Sequence, residues 1–271
     1  MNPNIRIYIT GSNGFIGTNI REAFSDKDIV AVERHCNYLG LEKGRTNILI
    51  WASEPSKVIQ VNNSNFDEQQ AITKRLEQFL EMDFDQVIYL SSIYVYERNS
   101  LQKPYKEEDP VNLNSNYSRG KLEREKIVLE KKGGCVFRLS NIYGKGMKSN
   151  IFEDIREQLN INKNSLLIKN TNSQIDLVYI EDLIRCLKKS IEKGLTGLFN
   201  LSSKEEATPL AIINKIFRNL NITKKIIQTD PNSIGYLIAD NRKIKSNLDW
   251  SPQSSLDQGI KDLIKIGYFY E

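Results

Sequence analysis

The sequence predicts an α/β fold built on a parallel, doubly wound sheet, and three observations support this class. Short apolar runs rich in β-branched residues alternate with longer amphipathic stretches along the first half of the chain. A glycine-rich turn joins the first apolar run to the first amphipathic stretch. Strands that alternate with helices in this way are typical of parallel sheets with helices on both faces.

The elements of the first half can be placed in order from these patterns. Strands are expected at Ile5–Thr10, Ile29–Glu33, Asn47–Ala52, Gln86–Ser92 and Gly134–Leu139, and helices at Gly14–Ser25, Glu68–Met82 and Tyr117–Lys131. Only about a dozen residues separate Arg34 from Asn47, so one strand-helix unit of such a sheet is shortened or missing there.

The pattern changes after about Asn150, where the segments become shorter and are interrupted by Asn, Ser and Gly. We expect residues 1–150 to form the parallel-sheet domain, with residues 175–200 packing back on it. Residues 151–271 should form a smaller substrate-binding region. The sequence has no internal repeat and no low-complexity linker, so the two regions should share one core.

Composition indicates a globular protein without a metal site or a disulfide framework. The chain has 271 residues, of which 39% are hydrophobic and 27% charged, and no apolar run approaches the ~18 residues of a membrane span. Its three cysteines, Cys36, Cys135 and Cys186, lie far apart and are expected to be reduced packing residues. A single histidine, His35, excludes a multi-histidine metal site.

Charge and the start of the chain narrow the expected partners. The net charge is +4, but 38 basic residues are interspersed with 34 acidic ones, so we expect no nucleic-acid binding. The mild positive balance fits an anionic ligand. The first residues lead into a strand without the basic and apolar stretch of a secretory signal, so we expect a cytoplasmic protein with no membrane partner.

Three glycines, Gly11, Gly14 and Gly17, stand at three-residue spacing between the first strand and the first helix. The first can adopt positive φ, the second allows backbone to approach a pyrophosphate, and the third allows the helix to pack close to the strand. Amides at the helix N-terminus then face the phosphates. The turn predicts a Rossmann-type dinucleotide site lined by Gly11, Asn13, Gly14, Phe15, Ile16 and Gly17.

Two further strand ends should meet the same cofactor. Glu33 and Arg34 end the second strand; an acid there favours NAD through the ribose hydroxyls, and an arginine favours the 2′-phosphate of NADP. The sequence leaves this choice open. Trp51, Ala52 and Ser53 end the third strand and are expected beside the cofactor, with Trp51 either there or in the core.

A serine, a tyrosine and a lysine form the candidate catalytic set. Ser91 and Ser92 end the fourth predicted strand, at the carboxyl edge where ligands bind in open α/β sheets. Tyr117 and Lys121 lie one helical turn apart on one helix face. A nearby ammonium stabilises a phenolate, so we expect it to lower the pKa of Tyr117 from about 10 toward the working range of an acid/base.

These features together resemble the extended short-chain dehydrogenase/reductase family, the NAD-dependent epimerase/dehydratase group that modifies nucleotide sugars. The resemblance implies that Ser92 hydrogen-bonds the reacting oxygen, Tyr117 is the acid/base, and Lys121 holds the nicotinamide ribose and tunes the tyrosine. Further similar segments are VY at Val95, RLSNIYG from Arg138, DLVYIED from Asp176, GLFNLS from Gly197 and ADNRKIKSNLDWSP from Ala239.

The resemblance also implies substrate contacts and an assembly. Asn141, in the segment from Arg138, and Tyr94, after the fourth strand, are the expected contacts of a nucleotide-sugar substrate. Relatives that pair through helices flanking the sheet imply a possible homodimer. Ile175 stands where relatives often carry an arginine for the substrate diphosphate, and Arg156, Lys169 and Arg242 are candidate substitutes.

The expected reaction follows from which family residues are present. Ser92-Ile93-Tyr94 stands where dehydratases of the family carry Thr-Asp-Glu, so the pair of acids for water elimination is missing. The leading interpretation is a nucleotide-sugar 4-ketoreductase that uses NAD or NADP. The alternatives are an NAD-dependent 4-epimerase and, from another class, a non-catalytic NAD(P)-binding sensor or scaffold.

Overall fold

The computed structural model describes residues 4–25, 28–36, 38–55, 57–97, 103–148, 150–161, 164–169, 172–229 and 235–270. Its strands, in chain order, are β1 (Ile5–Thr10), β2 (Asp28–Val32), β3 (Thr46–Trp51), β4 (Gln86–Ser92), β5 (Gly134–Leu139), β6 (Asn141–Tyr143), β7 (Ser165–Ile168), β8 (Gln174–Tyr179), β9 (Gly197–Leu201), β10 (Glu206–Ala207), β11 (Lys225–Gln228) and β12 (Tyr236–Leu237).

The helices surround these strands. They are α1 (Phe15–Ala23), α2 (Val58–Asn63), α3 (Phe66–Leu80), α4 (Asn116–Leu129), α5 (Ile151–Ile161), α6 (Ile180–Lys193), α7 (Pro209–Leu220), α8 (Arg242–Leu248) and α9 (Leu256–Lys265), with a 3₁₀ helix at Ile93–Val95. Within the described ranges, none of them combines the length and the apolar character that crossing a membrane requires.

Six parallel strands of the described chain form the main sheet, in the order β2-β1-β3-β4-β5-β9. Every residue of β4 and β5 is buried, because helices cover the sheet and leave neither face to solvent. The predicted α/β class with a parallel sheet is confirmed. Each of the five predicted strands lies within one residue of an observed strand.

The direction in which strands are added changes between β1 and β3. The chain passes from β1 to β2 on one side, and β3, β4, β5 and β9 then extend the sheet on the other side. Such a switch point opens a crevice at the carboxyl ends of the two strands, where ligands bind. The described residues between Val32 and Thr46 contain neither helix nor strand, as the short spacing predicts, so β2 is the edge strand.

The second half of the chain forms smaller sheets that continue the same hydrophobic core. β8 pairs with β6, β10 and β12, while β11 pairs with β7. One cluster of buried side chains extends from Ile5 in β1 to Phe269 near the end of the described chain. Because β9 joins the main sheet and α6 packs against α1, the second half returns to the first.

A buried carboxylate fixes the C-terminal segment to α6. Asp182 is 1% exposed, and its two oxygens accept hydrogen bonds from the backbone amides of Gln253 (2.7 Å) and Ser254 (3.2 Å). The indole of Trp250 donates to the backbone carbonyl of Asp182 at 3.2 Å. A substitution at Asp182 therefore removes the buried acceptor of two backbone amides that fix the C-terminal segment.

We expect Asp182→Ala to lower the free energy of unfolding by about 2–3 kcal/mol, because two backbone amides and the Arg185 guanidinium lose a buried charged acceptor. Urea denaturation followed by circular dichroism measures the change. Glu181→Ala is the matched control, since Glu181 precedes Asp182 on α6 but is exposed, and it should change the stability by less than about 0.5 kcal/mol. Equal effects of the two substitutions would contradict the structural role of Asp182.

Candidate active site

The glycine turn lies at the switch point and packs against the end of β3. Gly11 has φ +66°, and a Cβ atom there would lie 2.6 Å from the carbonyl oxygen of Ala52. A Cβ atom on Gly17 would lie 2.2 Å from the carbonyl oxygen of Gly11. Only glycine fits these two positions, as expected for a turn that backbone must approach closely.

Helix α1 begins directly after the turn. Gly14 is its N-cap residue and makes no side-chain cap bond, so the first-turn amides keep their donors for an anion. Asn13 is exposed, and its side-chain oxygen accepts from Arg21 at 3.3 Å. Phe15 and Ile16 are half-buried against the main core. The cradle therefore fits the pyrophosphate of a dinucleotide.

Ala52 and Ser53 follow β3 and are half-buried beside the turn, where the backbone amide of Ala52 donates to the Thr10 hydroxyl at 3.1 Å. The side chain of Trp51 is fully buried among core residues, which is the second of its two predicted places. Its indole N–H points to the following loop and donates to a carboxyl oxygen of Glu54 at 3.2 Å.

The edge of the crevice near β2 has a second arginine beside Arg34, which the sequence did not indicate. Glu33 and Arg34 both follow β2 and are exposed. Arg75 of α3 donates to the backbone carbonyl of Glu33 at 2.8 Å, and its guanidinium lies 5.5 Å from the centre of the Trp51 ring. Burial lowers the pKa of Arg75, and the positive charge of Arg34 acts in the same direction, which places the two arginines near each other.

The structure brings Ser92, Tyr117 and Lys121 together. Ser92 ends β4, and Tyr117 lies in the first turn of α4, which Ser115 caps by accepting from the amide of Ser118 at 3.1 Å. Ser92 lies close enough to the Tyr117 phenol for its hydroxyl to act on the pKa of that phenol. The Lys121 ammonium lies 5.8 Å from the centre of the Tyr117 ring. Tyr117 and Lys121 are both buried, with 6% and 4% exposed.

Ser91 differs from its neighbour because successive side chains of a strand point to opposite faces. Its hydroxyl donates to Glu125 of α4 at 2.5 Å, and Glu125 also forms a buried ion pair with Arg138 of β5 at 2.7 Å. Ser91 thus holds α4 against the sheet, and Ser92 is the serine that faces the tyrosine.

The pKa of Tyr117 departs from the expectation stated above. Burial raises it to about 12, and the negative charge of Glu54 adds to the rise, while the Ser92 hydrogen bond and Arg124 oppose it. The predicted lowering of this pKa is therefore wrong, because desolvation of the buried phenol dominates and the charge of Glu54 adds to the rise. At neutral pH Tyr117 is a protonated phenol, which is the form that donates a proton.

Lys121 has two partners in the protein. Its ammonium donates to the backbone carbonyl of Leu90 at 3.1 Å and lies 3.4 Å from a carboxyl oxygen of Glu54. Burial lowers the pKa of Lys121, and Glu54 opposes that change. Glu54 was not predicted as a site residue from the sequence, although its position just after β3, at the switch point of the sheet, indicates a ligand-binding edge.

On the substrate side, Tyr94 and Asn141 are in contact. The Tyr94 hydroxyl donates to the side-chain oxygen of Asn141 at 3.1 Å, and the Asn141 amide donates to the backbone carbonyl of Asp176. Of the basic candidates, Arg156 pairs with Glu153 (2.5 Å), Arg242 pairs with Asp240 (2.6 Å), and Lys169 is exposed. Two of the three basic candidates, Arg156 and Arg242, are therefore already paired with carboxylates of the protein.

Two curated relatives match the chain at low identity. The dTDP-4-dehydro-6-deoxyglucose reductase of Escherichia coli is 30% identical over 175 residues, which cover 60% of this chain and 55% of that protein. The methionine adenosyltransferase 2 subunit beta of Bos taurus is 23% identical over 98% of this chain and 86% of that protein.

Solved structures share the fold over nearly the whole chain. RMD from Pseudomonas aeruginosa complexed with NADPH superposes with a TM-score of 0.83 at 17% identity, covering 96% of this chain and 97% of that one. The UDP-glucose 4-epimerase of Thermotoga maritima with UDP-glucose gives 0.80 at 18% identity, covering 97% and 98%. At such identities the likeness establishes the fold.

The model of the NAD dependent epimerase/dehydratase family matches residues 52–202, which run from the end of β3 through the serine, tyrosine and lysine to the residue after β9. This match covers more than half of the chain and agrees with the motifs of the sequence. The chain belongs to the NAD dependent epimerase/dehydratase family.

Proposed function

We propose that this enzyme reduces the 4-keto group of a nucleotide-activated deoxysugar. The observation that carries the proposal is the buried Tyr117 phenol, which lies beside Ser92 and Lys121 at the end of β4. Reduction of a ketone needs a proton donor at the carbonyl oxygen, whereas oxidation of an alcohol needs a base. The Tyr117 phenol supplies such a proton donor in this site.

The chemistry divides between the cofactor and the protein. The dinucleotide, when bound in the glycine cradle, supplies a hydride to the keto carbon. Tyr117 gives its phenolic proton to the carbonyl oxygen, so the C=O bond becomes a hydroxyl. Ser92 donates a hydrogen bond to the same oxygen, and Lys121 holds the nicotinamide ribose.

The relatives support reduction over elimination. The reductase of Escherichia coli acts on a 4-dehydro-6-deoxy sugar nucleotide, as its name states. Ile93 and Tyr94 stand where water elimination would need a pair of carboxyl groups, and Tyr94 is engaged with Asn141. A nucleotide sugar would reach the tyrosine past Tyr94 and Asn141.

A second candidate is a role as a subunit of another enzyme. The match to a methionine adenosyltransferase subunit covers 98% of this chain, more than the match to the reductase does. In that role the dinucleotide site would bind without turnover. The 4-epimerase remains the alternative within the same chemistry, since 4-epimerases are among the structures that share this fold.

We expect Tyr117→Phe to lower kcat for the NAD(P)H-dependent reduction of a dTDP-4-keto-6-deoxysugar by at least about 100-fold, because the proton donor is removed. Loss of absorbance of the reduced cofactor measures the rate. Cofactor affinity should change less than about threefold, and Tyr38→Phe, an exposed tyrosine, should change neither.

Three outcomes separate the candidates. Cofactor consumed in equal amount to sugar product supports the reductase. Interconversion of a sugar with its 4-epimer without net cofactor consumption would establish the epimerase instead. Dinucleotide binding without turnover of any keto sugar or sugar nucleotide would favour the subunit role.

We further propose that the cofactor is NADPH. Arg34 and Arg75 place two guanidinium groups at the end of β2, where the 2′-phosphate of NADP lies in this fold. Each can form charge-assisted hydrogen bonds to a phosphate, and NADH offers them only a hydroxyl. A carboxylate at Glu33 is exposed and free to turn away.

Arg34→Ala should weaken NADPH binding by about 10-fold or more and leave NADH binding within about twofold, because a charge-assisted hydrogen bond contributes ~1.5–3 kcal/mol. Titration of the cofactor fluorescence gives both dissociation constants. Lys74→Ala, an exposed cation beside Arg75 on α3, is the control for net charge. Parallel loss of both affinities in Arg34→Ala would contradict the assignment.

A further inference from the structure

The carboxylate of Glu54 is fixed in the wall of the active site. Its side chain is 8% exposed, and the guanidinium of Arg124 contacts both of its oxygens at 2.9 Å, one through Nε and one through Nη2. The indole N–H of Trp51 supplies a third bond at 3.2 Å. A bidentate pair of this kind fixes the position of the carboxylate as well as pairing its charge.

Arg124 is in turn held by groups from the sheet and from α3. It is fully buried, and its nitrogens lie 3.2 Å from the Tyr89 hydroxyl and 3.1 Å from both the Gln69 carbonyl and the Thr73 hydroxyl. The carboxylate therefore rests on a platform built from β4, α3 and α4. It has little freedom to follow Lys121 if the lysine moves.

We infer that Glu54 is a positioning residue that anchors the Lys121 ammonium beside Tyr117 and offsets the two cations of α4 next to the phenol. This inference rests on the proposed reductase, because only reduction uses the phenol as an acid. Nothing in the resemblance to the family assigns a role to this position.

The charges around Tyr117 show why the carboxylate matters. Lys121 and Arg124 are two cations one turn apart on α4, and Glu54, from the loop after β3, is the acid that lies between them. Glu125 is the next carboxylate on α4, but it is paired with Arg138. The remaining polar neighbours, Ser92 of β4 and Asn62 of α2, are uncharged, and burial keeps Tyr89 protonated.

Removal of the Glu54 charge would leave two buried cations beside the phenol. Cations stabilise phenolate, so the pKa of Tyr117 would fall from its raised value, and the mutual repulsion would lower the pKa of Lys121 further. The proton donor would then be lost at a lower pH. Glu54 thereby extends to higher pH the range in which Tyr117 can donate its proton.

The first test measures the phenol directly and needs no turnover. Glu54→Gln keeps the shape and an oxygen acceptor but removes the charge. The titration of Tyr117 is the difference in tyrosinate ultraviolet absorbance between proteins with and without the additional Tyr117→Phe change. We expect this titration to move to lower pH by at least about one unit in Glu54→Gln.

The second test uses the pH dependence of kcat/KM for reduction. The active form carries a proton on Tyr117, so activity falls as pH rises through the pKa of the phenol, and Glu54→Gln should move that fall to lower pH by a similar amount. Glu54→Asp, which keeps the charge, should restore most of the wild-type profile. Glu123→Gln, an exposed acid on α4 that accepts a hydrogen bond from the Thr73 hydroxyl at 3.4 Å, should leave it unchanged.

The outcomes separate this inference from the proposed function. An unchanged Tyr117 titration in folded Glu54→Gln, with folding checked by circular dichroism, overturns the role of Glu54 even if the enzyme is a reductase. A shifted titration in a protein that reduces no keto sugar upholds the electrostatic role and removes the reductase. Lower stability with an unshifted titration would show that Glu54 is structural only.

Discussion

The fold depends on how the buried charges of one helix are paired with charges from other elements. Helix α4 presents Lys121, Arg124 and Glu125 to the sheet, and all three are buried. Burying unpaired charge costs several kcal/mol, so each has a partner from another element. Glu54, after β3, forms ion pairs with Lys121 and Arg124. Arg138 of β5 forms an ion pair with Glu125. This pairing sets the position of α4, and with it the tyrosine.

Much of the architecture follows from the sequence because ordinary rules apply to it. Strands buried on both faces read as apolar runs, which is why β4 and β5 were placed to the residue. Tyr117 and Lys121 were singled out by their helical spacing, and Ser92 by the resemblance to the family. The buried face of α4 breaks the rule that polar residues face water, so neither Arg124 nor its carboxylate partner could be recognised as interior.

The electrostatics of the site could be predicted only in part for a related reason. Proximity along the helix suggested that Lys121 controls Tyr117, but the outcome depends on burial and on Glu54, which comes from a distant part of the chain. Arg75 likewise reaches β2 from α3 through a tertiary contact. The family assignment rests on local motifs and was predictable, whereas the balance of charges belongs to the folded state.

The missing unit between β2 and β3 has a consequence for the behaviour of the protein in concentrated solution. It leaves β2 at the margin of the sheet, where a row of backbone donors and acceptors can pair with a strand of another molecule. Natural proteins limit the pairing of such edge strands by keeping the strands short and placing charged residues on them. β2 has five residues, and Asp28 at its start is paired with Arg6 and Arg45, so this edge strand is both short and charged at one end.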